Sequence, residues 1–223
     1  MVKKPILGIL MLNTNFYRPK GDIGNPETYS FSVAYHVIKN ATIRRVVKLA
    51  DTSLIEPFIK GAKILENKGV RAITTSCGFL ALFQKEIQRE LRVPFYASSL
   101  MQIPMVQQIT GGTVGVITAR RSSLTRQHLQ GVQADRTPIT IVGMEDMPAF
   151  TGAIVDETND LDKEAIALEM KQVTVRLLEN NPAIKAIVLE CTNMPPYKNA
   201  IREVTRLPIF DINTLTDYVV RGL

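Results

Sequence analysis

Arg71-Ala72-Ile73-Thr74-Thr75-Ser76-Cys77 and Lys185-Ala186-Ile187-Val188-Leu189-Glu190-Cys191 are two copies of one pattern, 114 residues apart (77 to 191). The same offset lays Ile87 on Ile201, Pro94 on Pro208, Phe95 on Ile209, Tyr96 on Phe210 and Val106 on Val220. Upstream, Leu7-Gly8-Ile9-Leu10 matches Val114-Gly115-Val116-Ile117 at an offset of 107 (8 to 115). Each copy reads strand, cysteine, helix, proline-led strand, helix. Self-similarity of this kind marks duplicated structural units.

Outward from the repeat, short Val/Ile-rich runs alternate with helical patterns. Buried strands are expected at 6–12, 43–49, 70–74, 95–97, 114–118, 139–142, 184–189 and 209–210. They lack polar alternation, as strands covered on both faces do. Between them, Leu54, Phe58, Ala62 and Leu65 repeat at helical spacing, as do Phe79, Phe83, Ile87 and Leu91. Leu161, Ala165 and Leu168 form a third stripe. The alternation predicts an α/β fold of two pseudo-symmetric lobes, each a short, mostly parallel sheet flanked by helices, with the active site in the cleft between them. Residues 1–97 with 213–223 form the first lobe and 98–212 the second. The long segments 13–30 and 143–160, rich in turn residues, are expected to be functional loops.

Composition narrows the function. Of 223 residues, 45% are hydrophobic and 22% charged, ordinary for a globular chain. Lys and Arg outnumber Asp and Glu by 27 to 21, but the basic residues are scattered, the longest runs being pairs such as Lys3-Lys4 and Arg120-Arg121. Nucleic acid is therefore not an expected partner. No apolar run approaches the ~20 residues that span a bilayer, so no membrane partner is expected. The apolar stretch near Met1 lacks a cleavage signature and reads as a first strand. A cytoplasmic location, with both thiols reduced, follows.

The repeat assigns the only two cysteines one structural address: the carboxyl end of a parallel strand, just before a helix. Ligands of open α/β sheets bind at that edge, and a helix start favours a thiolate. Two thiols facing each other across a cleft suit proton removal and delivery at a carbon next to a carboxylate. The enediolate formed needs donors around its oxygens, which backbone amides at Gly78, Phe79, Thr192 and Asn193 could supply. His36 and His128 are isolated, so no metal site is expected, and no glycine-rich phosphate or dinucleotide motif follows the first strand.

Thr74-Thr75-Ser76-Cys77-Gly78-Phe79 and Leu189-Glu190-Cys191-Thr192-Asn193, with the Leu7-Gly8-Ile9-Leu10 strand, resemble the aspartate/glutamate/hydantoin racemase superfamily over nearly the whole chain. The resemblance implies a cofactor-independent isomerase of racemase type with Cys77 and Cys191 as the catalytic pair. It implies a small carboxylate substrate bound by Asn13, Ser76, Gly78, Phe79, Thr118, Arg120, Thr192 and Asn193, and a homodimer. Amino-acid racemases usually carry Cys-Asn-Thr at the first site, where this chain has Cys77-Gly78-Phe79. The expected reaction is racemisation or epimerisation of an acidic amino acid or related small acid. The alternatives are a maleate-type cis-trans isomerase using one cysteine as nucleophile, or a non-catalytic carboxylate-binding protein. Arg18 is a further carboxylate candidate, and Glu190 is expected to point away from the thiol beside it.

Overall fold

A computed structural model describes residues 5–223; the Lys3-Lys4 pair lies outside them. Eight strands form two all-parallel sheets: β1 (Leu7–Leu12), β2 (Val33–Ile38), β3 (Ala72–Thr75) and β4 (Phe95–Tyr96), then β5 (Thr113–Thr118), β6 (Ile139–Gly143), β7 (Ile184–Leu189) and β8 (Ile209–Phe210). The orders are β2-β1-β3-β4 and β6-β5-β7-β8. Each half thus has the same topology, and the pairing repeats residue for residue at the cysteine offset of 114: Ile73 opposite Phe95, Ile187 opposite Ile209.

Side-chain alternation along β1 explains its buried position. Leu10 and Leu12 enter the large core that runs through both halves. Leu7, Ile9 and Met11 face a second cluster with Ala72, Tyr96, Ile212 and Leu215. The helix Ile212–Arg221 covers that side of the first sheet and fixes Tyr96 by a 3.0 Å hydrogen bond to Thr216 Oγ1. The matched glycines have a shared reason. A Cβ on Gly8 would lie 3.1 Å from Leu65, and one on Gly115 2.8 Å from Leu177, so each glycine lets a helix close down on its central strand.

Two expectations need correction. The run 43–49 is not a strand: Arg44–Lys48 is a π-helical turn. Ile43, Val46 and Val47 are buried while Arg44 and Lys48 are exposed, which is helical spacing; the β-branched content had mimicked a strand. The partner of β1 is instead Val33–Ile38, a half-exposed edge strand whose Tyr35 and His36 interrupt any apolar run. In the second half, the segment 143–160 contains its own π-helical turn, Thr151–Val155. The two turns are equivalent at the offset of 107, and each is followed by a residue with positive φ, Ala50 at 47° and Glu157 at 54°. The segment 13–30 is irregular apart from one short turn, Pro26–Thr28.

Candidate active site

Cys77 and Cys191 line one pocket of about 430 Å³, its open mouth included. Its floor is the carboxyl end of both sheets, and its roof is the two π-helical turns, through Ile43 and Val47 from one half and Ile154 and Val155 from the other. A Lys48–Asp156 ion pair of 3.0 Å bridges the turns. Both cysteines are free thiols, each less than a tenth exposed.

Each sulfur is held in the same way. The backbone amides of Phe79 and Asn193 favour the thiolate at Cys77 and Cys191 respectively. Burial is the larger effect and pushes both thiols above their ordinary range; the Glu190 carboxylate, the second cause in each case, pushes the same way. The expectation that a helix start favours a thiolate is therefore corrected: desolvation outweighs the amides.

Around the thiols the halves differ. Ser76, before Cys77, accepts from Leu12 N–H at 2.9 Å. Glu190, before Cys191, accepts at Oε2 from Thr118 Oγ1 at 2.7 Å and from Ala119 N–H at 3.4 Å. Glu190 is fully buried and lines the pocket, against the expectation that it points away. That expectation assumed continued alternation, but β7 ends at Leu189. Burial raises its carboxyl to about 7, against the pull of the Thr118 and Ala119 bonds. Gly78 is required opposite it, because any Cβ there would overlap the Glu190 carbonyl and carboxyl oxygens.

The loop after β1 adds a chain of charge. Arg18 donates to Asp22 Oδ1 and Thr14 Oγ1, both at 2.8 Å, and stacks 4.3 Å from the Phe16 ring. Asn193 Nδ2 donates to Asp22 Oδ2 at 2.7 Å, and Cys191 donates to Asn193 Oδ1 at 3.4 Å.

Of the residues expected to bind substrate, Ser76, Gly78, Phe79 and Asn193 line the pocket, and four others do not. Asn13 is exposed and donates to the Lys39 carbonyl. Thr118 stands behind Glu190. Thr192 turns to the Ser76 carbonyl at 2.6 Å, tying the halves together. Arg120 starts a short surface turn outside the lining, so Arg18 is the one cation among the described lining residues. Thr14, Phe16 and the roof residues had no signal in the sequence. Among the described residues, no cluster of three or more His, Cys, Asp or Glu is placed for a metal ion, and no helix is long and apolar enough to cross a membrane.

A model of the Asp/Glu/hydantoin racemase family matches residues 56–216. The chain belongs to this family. Solved structures share its fold: a putative Asp/Glu racemase from Yersinia pestis superposes with a TM-score of 0.60 at 13% identity, covering 92% of this chain and 93% of that one. Arylmalonate decarboxylase superposes at 0.56 and 14% identity, covering 91% and 85%. In sequence, the chain is similar to a dimethylsulfoniopropionate lyase of Durusdinium sp. clade D, 30% identical over 99% of this chain and 76% of that protein. Dimethylsulfoniopropionate lyase 3 of Emiliania huxleyi (strain CCMP1516) is 32% identical over 98% of this chain, which spans 60% of that protein's length.

Proposed function

We propose that this protein is a cofactor-independent lyase that removes an α-proton from a short carboxylate and expels a β-substituent, with dimethylsulfoniopropionate as the substrate. A thiolate of the pair takes the α-proton; the Cα–H electrons form the Cα=Cβ double bond, and the Cβ–S pair leaves with dimethyl sulfide. Acrylate is the second product.

The observation that carries this reading is the pocket lining. Arg18 offers one carboxylate partner. Phe16, Phe79, Ile43, Val47, Ile154 and Val155 offer apolar and aromatic surface suited to a methylated cation. Phe79 stands where amino-acid racemases carry a polar residue, so an α-ammonium finds no partner on that side. The names of the relatives support the same chemistry. A cationic substrate beside the sulfurs also favours their ionised form, which offsets the cost of burial.

Racemisation is the second reading, favoured by the matched positions of the two thiols. It shares the first step and departs in returning a proton to the other face of the same carbon.

The test is incubation in D₂O with dimethylsulfoniopropionate and, separately, with enantiopure aspartate and glutamate. Headspace chromatography and NMR follow the products. Dimethyl sulfide and acrylate in equal amounts are expected. Their absence, with α-deuteration and loss of optical purity in an amino acid, would replace the lyase by a racemase.

A further inference from the structure

The proposed elimination leaves a problem of proton traffic. The leaving group departs without a proton, so every turnover deposits one on a buried sulfur. That sulfur must also lose a proton before the next attack, although each thiol is less than a tenth exposed. Its partner has to be another group in the same pocket.

Glu190 meets the requirement. It lies between the halves, its carbonyl and carboxyl against Gly78 beside Cys77 and its own backbone joined to Cys191. Thr118 and Ala119 occupy Oε2, while Oε1 is buried with no hydrogen-bond partner among the described residues. No cation pairs with it among the described residues. A fully buried carboxyl oxygen with nothing to bind, in a pocket shared with two thiols, is costly unless it carries or receives a proton.

Resting on the lyase reading, we propose that Glu190 is the proton-accepting partner of the cysteine pair. With substrate bound, the carboxylate takes the proton of a thiol, leaving a thiolate beside the cationic substrate and a neutral acid beside the thiolate. The thiolate then takes the α-proton and is a thiol again. Once products leave, the acid gives its proton to water, which accounts for the one proton the elimination releases. Glu190 acts through the sulfurs and is a positioning residue for their protons. Its carboxyl, raised to about 7 by burial, can load and unload near neutral pH. The other charged groups facing the pair are Arg18, which lowers Cys77, and Asp22, which raises Cys191.

The test compares wild type, Glu190→Gln and Glu190→Asp from pH 5.5 to 9.5, by dimethyl sulfide release at saturating dimethylsulfoniopropionate and by iodoacetamide alkylation of the substrate-free thiols. Wild-type turnover should rise to a plateau above about pH 7. Glu190→Gln should be slower by about 10²-fold at pH 7 and still climbing at the alkaline end, with Glu190→Asp keeping the limb near neutrality. Alkylation should move the other way: removing the neighbouring negative charge makes the thiols of Glu190→Gln react faster above pH 7. A variant that is merely damaged would not separate the two readouts. Turnover of Glu190→Gln within twofold of wild type, with the same limb, would overturn the proposal alone. No dimethyl sulfide from wild type at any pH would sink the lyase reading and the relay that rests on it.

Discussion

In each half a backbone N–H at the end of the central strand reaches the side chain that precedes the cysteine. Leu12 finds the Ser76 hydroxyl and Ala119, its equivalent at the offset of 107, finds the Glu190 carboxyl. The hydroxyl satisfies its site at little cost. The carboxyl places a titratable group in the pocket the two sulfurs share and leaves one oxygen without a partner among the described residues. The residues after the cysteines diverge likewise: Gly78-Phe79 make one wall apolar, while Asn193 joins Cys191 to Asp22 and Arg18. The backbone is therefore near-symmetric and the chemistry is not. A racemase gains from equivalent acids and bases on two faces; an elimination proceeds one way and has no use for a mirror image.

Several substitutions can break or sharpen that contrast. Loss of the thiol that takes the α-proton should have the largest effect: the elimination requires that at least one of Cys77→Ala and Cys191→Ser reduce turnover by about 10² to 10⁴-fold with the circular dichroism spectrum retained. If one of them keeps more than a tenth of the activity, a single thiol suffices and the asymmetry extends to the sulfurs. Arg18→Ala should raise KM by about 10- to 100-fold, the worth of a charged hydrogen bond, and Arg18→Lys should recover part of it. An unchanged KM would move the carboxylate to the amides.

Glu190 should also leave a mark on stability. Its folded carboxyl holds its proton up to about pH 7, whereas the ordinary value is 4.5. Between those values the native state binds more protons than the unfolded state, so stability falls as pH rises through the window. The loss is roughly 3 kcal/mol at most. Glu190→Gln removes it, so urea midpoints of the variant should gain on wild type between pH 5 and pH 8. An identical pH dependence would show the carboxyl ionising as freely as in water. His128 works in the opposite sense, burial lowering it to about 4, and is common to both proteins. The smallest effect belongs to the roof: Lys48→Ala, removing a half-exposed ion pair, should change stability by no more than about 1 kcal/mol.

The repeat made much of this legible. The paired cysteines, the matched glycines and seven strands follow from periodicity and offset, because both halves must bury the same faces. Val33–Ile38 escaped because an edge strand with Tyr35 and His36 has no continuous apolar run. The turn at Arg44–Lys48 was misread because β-branched residues serve either conformation when a segment is only five residues long. Arg18 stands among the carboxylate candidates of the sequence, but its reach into the pocket depends on a loop whose path is set by Asn25, Asp22 and Thr28 bonding to its own backbone, which no periodicity records. Glu190 could have been found: it sits opposite Ser76 in the repeat, and a carboxylate replacing a hydroxyl beside a buried cysteine is a signal.

The helix Ile212–Arg221 has a consequence for the order in which the molecule is made. The strands of the first sheet leave the ribosome early, with Ile23, Tyr29 and Phe31 close behind, yet the face bearing Leu7, Ile9 and Met11 also needs Ile212 and Leu215 for its cover. During synthesis that face stays only partly covered while the whole second sheet emerges. The half that is translated first is thus finished last, its incompletely covered face waiting until the helix Ile212–Arg221 arrives.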